Sequence, residues 1–150
     1  MTATSGGPEL SSVDDTNVKK EVMAVIYGSF ESVKNKELSF MRDVRDQSIY
    51  TRFGDLLPHS RQDWEDACTH DEAKFATIAD YSYTIEDEQV QIFENTALAT
   101  FYLNYSGMAV SGYTFEGRQI KRRCRASVLL RKKQGRWFIV HEHYSELEDI

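Results

Sequence analysis

The sequence predicts an α+β fold, with N-terminal helices packed on the concave face of a cone-shaped, strongly curved, mostly antiparallel sheet. Three observations predict it. Apolar residues recur at spacings of three and four from Val18 to Val33, which marks one face of an amphipathic helix. Beyond His70 the chain turns to long runs rich in β-branched and aromatic residues and poor in proline. The last of these runs follow one another with no helical pattern between them, so they pair as an antiparallel meander and not as alternating α/β units.

The elements follow in order. Residues 1–12 carry Ser, Thr, Gly and Pro and read as a mobile tail, leaving residues 13–147 as a single domain. Ser12 with Asp15 gives a capping-box-like start to a long helix whose apolar face holds Val18, Val22, Val25, Ile26, Phe30 and Val33, ending near Asn35. Leu38, Met41 and Val44 suggest a shorter second helix, and Ser48 to Phe53 a strand closed by Gly54. Pro58 and Ser60, with Asp63 after them, open a third helix with Trp64, Ala67 and Cys68 on one side. Strands are then expected over 75–85, 90–105, 118–131 and 136–144. Turns are expected at Glu86-Asp87-Glu88, between Gly107 and Gly117, and at Lys133-Gln134-Gly135. Strands of this length twist and coil, and the amphipathic helix is the natural cover for the concave side.

Composition excludes several classes. A net charge of −6 provides no long-range attraction to nucleic acid or to an anionic membrane. The basic run Lys121-Arg122-Arg123-Cys124-Arg125 sits inside a predicted strand and reads as solvated or interface charge. No apolar stretch approaches the roughly 20 residues of a membrane span, and the N-terminus lacks a secretory pattern, so a cytoplasmic location is expected. Cys68 and Cys124 form no C-x-x-C pair and read as small buried thiols. No phosphate loop, Ser-His-Asp order or zinc-finger spacing is present, and no cofactor is implied.

Strand alternation assigns faces. Cys124, Ala126, Val128 and Leu130 form the apolar side of their strand and should meet the helix, with Arg123, Arg125, Ser127, Leu129 and Arg131 opposite. In the preceding strand Leu98, Thr100, Tyr102 and Asn104 oppose Ala97, Ala99, Phe101 and Leu103, and the first set is expected to bring a phenol and an amide to the wide end of the cone. The last strand is ambiguous. Trp137, Ile139, His141 and His143 alternate with Phe138, Val140, Glu142 and Tyr144, and both sets are apolar early and polar late. A sheet with two covered faces needs a second cover, so a homodimer packed sheet to sheet is expected.

The order helix, helix, strand, helix, long strands resembles the nuclear-transport-factor-2-like superfamily, also called ketosteroid-isomerase-like or SnoaL-like. The segment from Arg125 to Ser145 carries most of the likeness, with Gly135 in a charged hairpin, then Trp137, an apolar run, His141-x-His143 and Ser145. It is similar to the subgroup related to the calcium/calmodulin-dependent kinase association domain. The resemblance implies a cone-shaped pocket used for isomerase, dehydratase, cyclase, transport or assembly roles, so fold alone does not fix function. It also implies that pocket arginines of the kinase domain are replaced here by Tyr102, Val128 and Tyr144, which would remove the cationic pocket.

The candidate catalytic residues are Glu142 and Tyr144. A buried glutamate has a raised pKa and can serve as acid or base; the alternative is that Glu142 pairs with a nearby Arg or Lys and does no chemistry. Tyr50, Tyr102, Asn104 and Val128 are the candidate ligand-binding residues around a small, mainly apolar organic molecule. Arg125, His141 and His143 are expected at an interface. Two alternatives come from other classes: a non-catalytic association module, and a cupin-like metal protein in which Gly135, His141, His143 and Glu148 match a first cupin motif.

Overall fold

The first helix is set by its apolar stripe, and its far end by a single left-handed residue. The structure, a computed structural model, describes residues 7–56, 59–111, 113–114 and 116–147, with side chains of the first helix described from Asp15 onward. Helix α1 spans Gly7–Lys34, so residues 7–12, assigned to the tail from sequence, continue the helix; residues 1–6 lie outside the described residues. Pro8 is tolerated there because a helix's first turn has no use for its missing N–H. Val22, Met23, Ile26 and Val33 are buried, with Val18, Val25 and Phe30 packed at the margin. Lys36 follows in a left-handed conformation (φ 61°), and its ammonium donates to the carbonyls of Phe75 and Ile78. The turn after α1 is thereby tied to the third helix.

Helix α2 is Ser39–Val44, with Met41 and Val44 buried. The expected strand from Ser48 is shorter: β1 is Thr51–Phe53, because the amides of Ile49 and Tyr50 turn back onto the carbonyl of Asp46. A two-residue strand β2, Gln62–Asp63, pairs antiparallel with β1 and has no hydrophobic signature in the sequence. Helix α3 is Trp64–Ala76, capped by Asp63, whose carboxylate accepts from the Asp66 amide at 2.9 Å; Ser60 is not the cap, and Pro58 lies outside the described residues.

Four long strands complete the fold: β3 Ile78–Phe93, β4 Thr96–Val110, β5 Gly117–Lys133 and β6 Arg136–Glu146. The sheet order is β2-β1-β6-β5-β4-β3, antiparallel throughout except for β1 against β6. The acidic triplet Glu86-Asp87-Glu88 is not a turn. It is a bulge inside β3, with Asp87 at φ 53°, and the chain reverses instead at Glu94-Asn95. An irregularity of this kind suits an edge strand, where it breaks a row of free backbone groups that another chain could join. The turn at Gln134-Gly135 is as expected, both residues taking positive φ (52° and 80°), as a two-residue hairpin requires.

The inner face of the sheet carries Ala97, Ala99, Phe101, Leu103 and Tyr105 from β4, and Cys124, Ala126, Val128 and Leu130 from β5, all buried. The small residues among them leave room for the larger side chains of α1, and one core cluster joins the two layers.

In β6 a second bulge decides the faces. Leu129 pairs with His141 and Leu130 with Ile139, so Val140 has no partner in β5. The extra residue reverses the alternation. Trp137 and Ile139 face the core before it, and Glu142 does so after it, at 3% exposure. The Asp46 amide reaches the Ile139 carbonyl beside this bulge at 2.8 Å and docks the end of α2 there.

Candidate functional site

Two buried arginines organise the space enclosed by the helices and β6. Arg45 follows α2 and Arg52 is the middle residue of β1; they are 5% and 6% exposed. The charge of a buried arginine must be compensated. Arg45 donates to Glu142 Oε1 at 3.0 Å and to Asp71 Oδ2 at 2.8 Å. Arg52 donates to both oxygens of Asp71, at 2.8 and 2.7 Å, and to Gln62 Oε1 at 3.0 Å. Glu142 also accepts from the phenol of Tyr50 at 2.5 Å and from that of Tyr144. Two cations and two carboxylates thus share one paired network. Burial alone would raise the pKa of Glu142 and of Asp71, but Arg45 and Arg52 outweigh it and hold both below the usual carboxylate range. Burial and the Glu142 charge push both phenols well up, so they remain donors.

This changes the meaning of Glu142. Instead of a raised-pKa acid, it is an ionised, saturated acceptor, and the ion-pair reading is the one the geometry carries. Arginines do stand beside the cavity, Arg45 and Arg52 from outside the long strands, but Asp71 and Glu142 neutralise them. One cue to this pairing is readable in the chain: Asp71 falls three residues after Cys68 and four after Ala67, on the apolar side of α3, and a carboxylate there needs a buried cation.

A cavity of about 70 Å³ adjoins the network. Its apolar wall includes Phe30, Val33, Met41, Phe75 and Leu103. Glu142 and Tyr144 reach it from β6. Its other polar end is built from α3 and from the segment after β1, which sequence reasoning missed. His70 and Lys74 lie one turn apart on α3, and Asp55, Tyr81 and Tyr105 face them across the cavity. Asp55 accepts from Tyr105 Oη and Arg122 Nε, both at 3.0 Å, and from Cys124 Sγ at 3.4 Å. Burial would raise the pKa of Asp55, yet Lys74 and its donors keep it low, while burial pushes the Cys124 thiol up to about 12. Burial lowers the pKa of His70, so its ring is neutral at pH 7 and offers one lone pair and one N–H. That ring makes no hydrogen bond among the described residues.

The remaining candidates fall elsewhere. Tyr50 sits behind Glu142 and Val128 lies in the core, neither lining the cavity. Tyr102 and Asn104 are on the outer face, because β4 alternation places Phe101, Leu103 and Tyr105 inside. There Tyr102 lies under the Arg123 guanidinium at 5.1 Å, and Asn104 bonds Thr84, Glu86 and Arg123. Arg125, His141 and His143 are outer-face residues too; His141 Nδ1 is 2.8 Å from Thr51 Oγ1, and the edge of Phe53 meets both imidazoles. A single sheet backed by helices is not a cupin jelly roll. Among the described residues no group of three or more His, Cys, Asp or Glu could hold a metal ion, and Glu148 lies outside them. Cys68 and Cys124 are free and buried. No helix among the described residues is long and apolar enough to cross a membrane.

Comparison with known proteins agrees with this architecture. The family model for the SnoaL-like domain matches residues 20–148. A proposed dehydratase of the NTF2-like family from Streptomyces avermitilis superposes with a TM-score of 0.76 at 14% identity, covering 90% of this chain and 99% of that one. An NTF2-like superfamily protein from Salmonella enterica serovar Typhimurium gives 0.75 at 16%, covering 90% and 94%. The association domain of C. elegans CaMKII gives 0.67 at 20%, covering 88% and 98%. At these identities the likeness shows the fold. No curated protein sequence matches the chain.

Proposed function

Because this chain belongs to the SnoaL-like domain family, we propose that it binds a small, mainly apolar organic molecule in the cavity under α1 and acts on it by acid/base chemistry of the isomerase, dehydratase or cyclase kind. One observation carries this reading. Among the ionisable groups around an apolar cavity, Glu142, Asp71, Arg45 and Arg52 are all committed to one another, while the neutral His70 ring has no hydrogen-bond partner among the described residues. A neutral imidazole beside an apolar wall can take a proton from a bound molecule and return it at a second position. The proposed dehydratase among the structural relatives is in keeping with it. The test is titration of methyl-labelled protein with a panel of small aromatic and alicyclic alcohols and ketones, read by NMR. Methyl shifts are expected at Val33, Met41 and Leu103; no saturable shift at these methyls with any compound overturns the reading.

A second reading concerns assembly and is compatible with the first. On the outer face Leu98, Leu129 and Phe138 are half-buried and Phe53 is 38% exposed, beside His141 and His143. Such an apolar strip fits a homodimer packed sheet to sheet, and one structural relative is an association domain. Sedimentation velocity is expected to show a dimer at pH 7.5, and Leu129→Lys to shift it to monomer. A wild-type monomer at micromolar concentration overturns it.

A further inference from the structure

Lys74 stands apart from every other cation of the cavity. Arg45 and Arg52 hold ion pairs at 2.8 and 2.7 Å, but Lys74 holds none among the described residues. Its ammonium lies over the rings of Phe75 and Tyr105, 4.8 and 5.2 Å from their centroids, and its hydrogen bond is a long one, 3.4 Å to Tyr105 Oη. The phenol it touches is itself anchored, donating to Asp55 at 3.0 Å. The amine feels the charges of Asp55 and Asp71, but among the described residues no carboxylate oxygen lies within ion-pair distance of it, and its flexible stem runs along aromatic walls at the edge of an apolar cavity. It is well placed to meet a ligand.

Resting on the pocket reading above, we propose that Lys74 is an amine nucleophile that condenses with an aldehyde or ketone ligand in this cavity to form an imine. The reaction needs no co-reactant. The lone pair of Nζ forms a C–N bond to the carbonyl carbon while the C=O π pair moves to oxygen. The resulting carbinolamine then loses that oxygen as water together with both amine hydrogens, leaving C=N. Burial lowers the pKa of Lys74, the largest influence on it, and so raises the share of free amine over that of a solvated lysine. Tyr105 lies within reach of the nitrogen to pass protons to and from the departing oxygen. His70, one turn earlier on α3, is positioned to take a proton from the carbon next to the imine. That last arrangement joins the inference to acid/base chemistry: an imine is a better electron sink than the ketone from which it forms.

Borohydride trapping tests it on the intact chain. Protein is incubated with benzaldehyde, reduced with sodium borohydride, and the benzyl adduct located by peptide mass mapping. The expected label is at Lys74, ahead of exposed lysines such as Lys121 and Lys133, and it is lost in Lys74→Arg, which keeps charge and length. Label spread over the surface lysines with Lys74 unmodified overturns the proposal, as does total label undiminished in Lys74→Arg. Peptide mapping of the wild type separates label at Lys74 from label elsewhere even if the variant folds poorly. Benzyl alcohol, which has nearly the size and shape of benzaldehyde and cannot condense, separates the two readings. Shifts of the Leu103 and Met41 methyls by benzyl alcohol without label at Lys74 sink the imine and leave the pocket standing; neither shifts nor label sinks both.

Discussion

Arg45→Met lowers the stability of the fold by about 3–5 kcal/mol, the usual cost of removing one partner from a buried ion pair. For a chain of this size that is a fall of about 6–20 °C in Tm. The cost comes from what is left behind: Glu142 retains its two phenol donors but loses its nearest cation, and Asp71 retains only Arg52. Urea unfolding at pH 7 measures it, and a loss under about 1 kcal/mol would mean that water already compensates Glu142. The pH dependence has a definite sign. Burial raises the pKa of Asp71 and Glu142, but the arginines overcome this and depress both. Depressed carboxylates contribute stability that is fully present above their unfolded values, near 3.9 and 4.3, and is lost as pH falls through the folded ones. The wild type therefore weakens on acidification below about pH 5. Arg45→Met raises the pKa of Glu142, so its deficit against wild type shrinks between pH 7 and pH 4.

Deleting Val140 straightens β6 without turning any side chain over, and costs about 1.5–3 kcal/mol, the contribution of one buried valine. The unpaired residue between Ile139 and His141 lets Trp137 and Ile139 share the inner side with Glu142 and Tyr144. With it removed, Ile139 runs directly into His141, and strict alternation again puts Trp137, Ile139 and Glu142 on one face. The apolar pair and the ion pair to Arg45 are both kept, so the loss stays below the whole net stability of a domain, about 5–15 kcal/mol. Near-UV circular dichroism and amide NMR dispersion are the measurements, and a deletion variant without native dispersion would show that the bend at the bulge, where the Asp46 amide reaches the Ile139 carbonyl, is required by the fold.

The same bulge explains what alternation could and could not settle. In β5 the apolar set Cys124, Ala126, Val128 and Leu130 is unbroken, and each proves buried. In β6 both sets of residues change character half-way, and an ambiguity of that kind is what a parity switch produces. The acidic triplet in β3 misled in the opposite direction: positive φ at Asp87 is a turn signal locally, but pairing with β4 continues through it.

The chain by itself determined the class, the order of its major elements, the inner face of β5 and the apolar stripe of α1. These follow from periodicity and composition, which act over a few neighbouring residues. Only the tertiary structure decided that Glu142 is a paired anion, that Tyr102 and Asn104 face away from the cavity, and that His70, Lys74 and Asp55 face into it. The partners concerned are 97 residues apart in Arg45 and Glu142, and 31 in Lys74 and Tyr105. Charges so distant along the chain have no local pattern to betray them, and their protonation follows from which opposite charge is buried beside them.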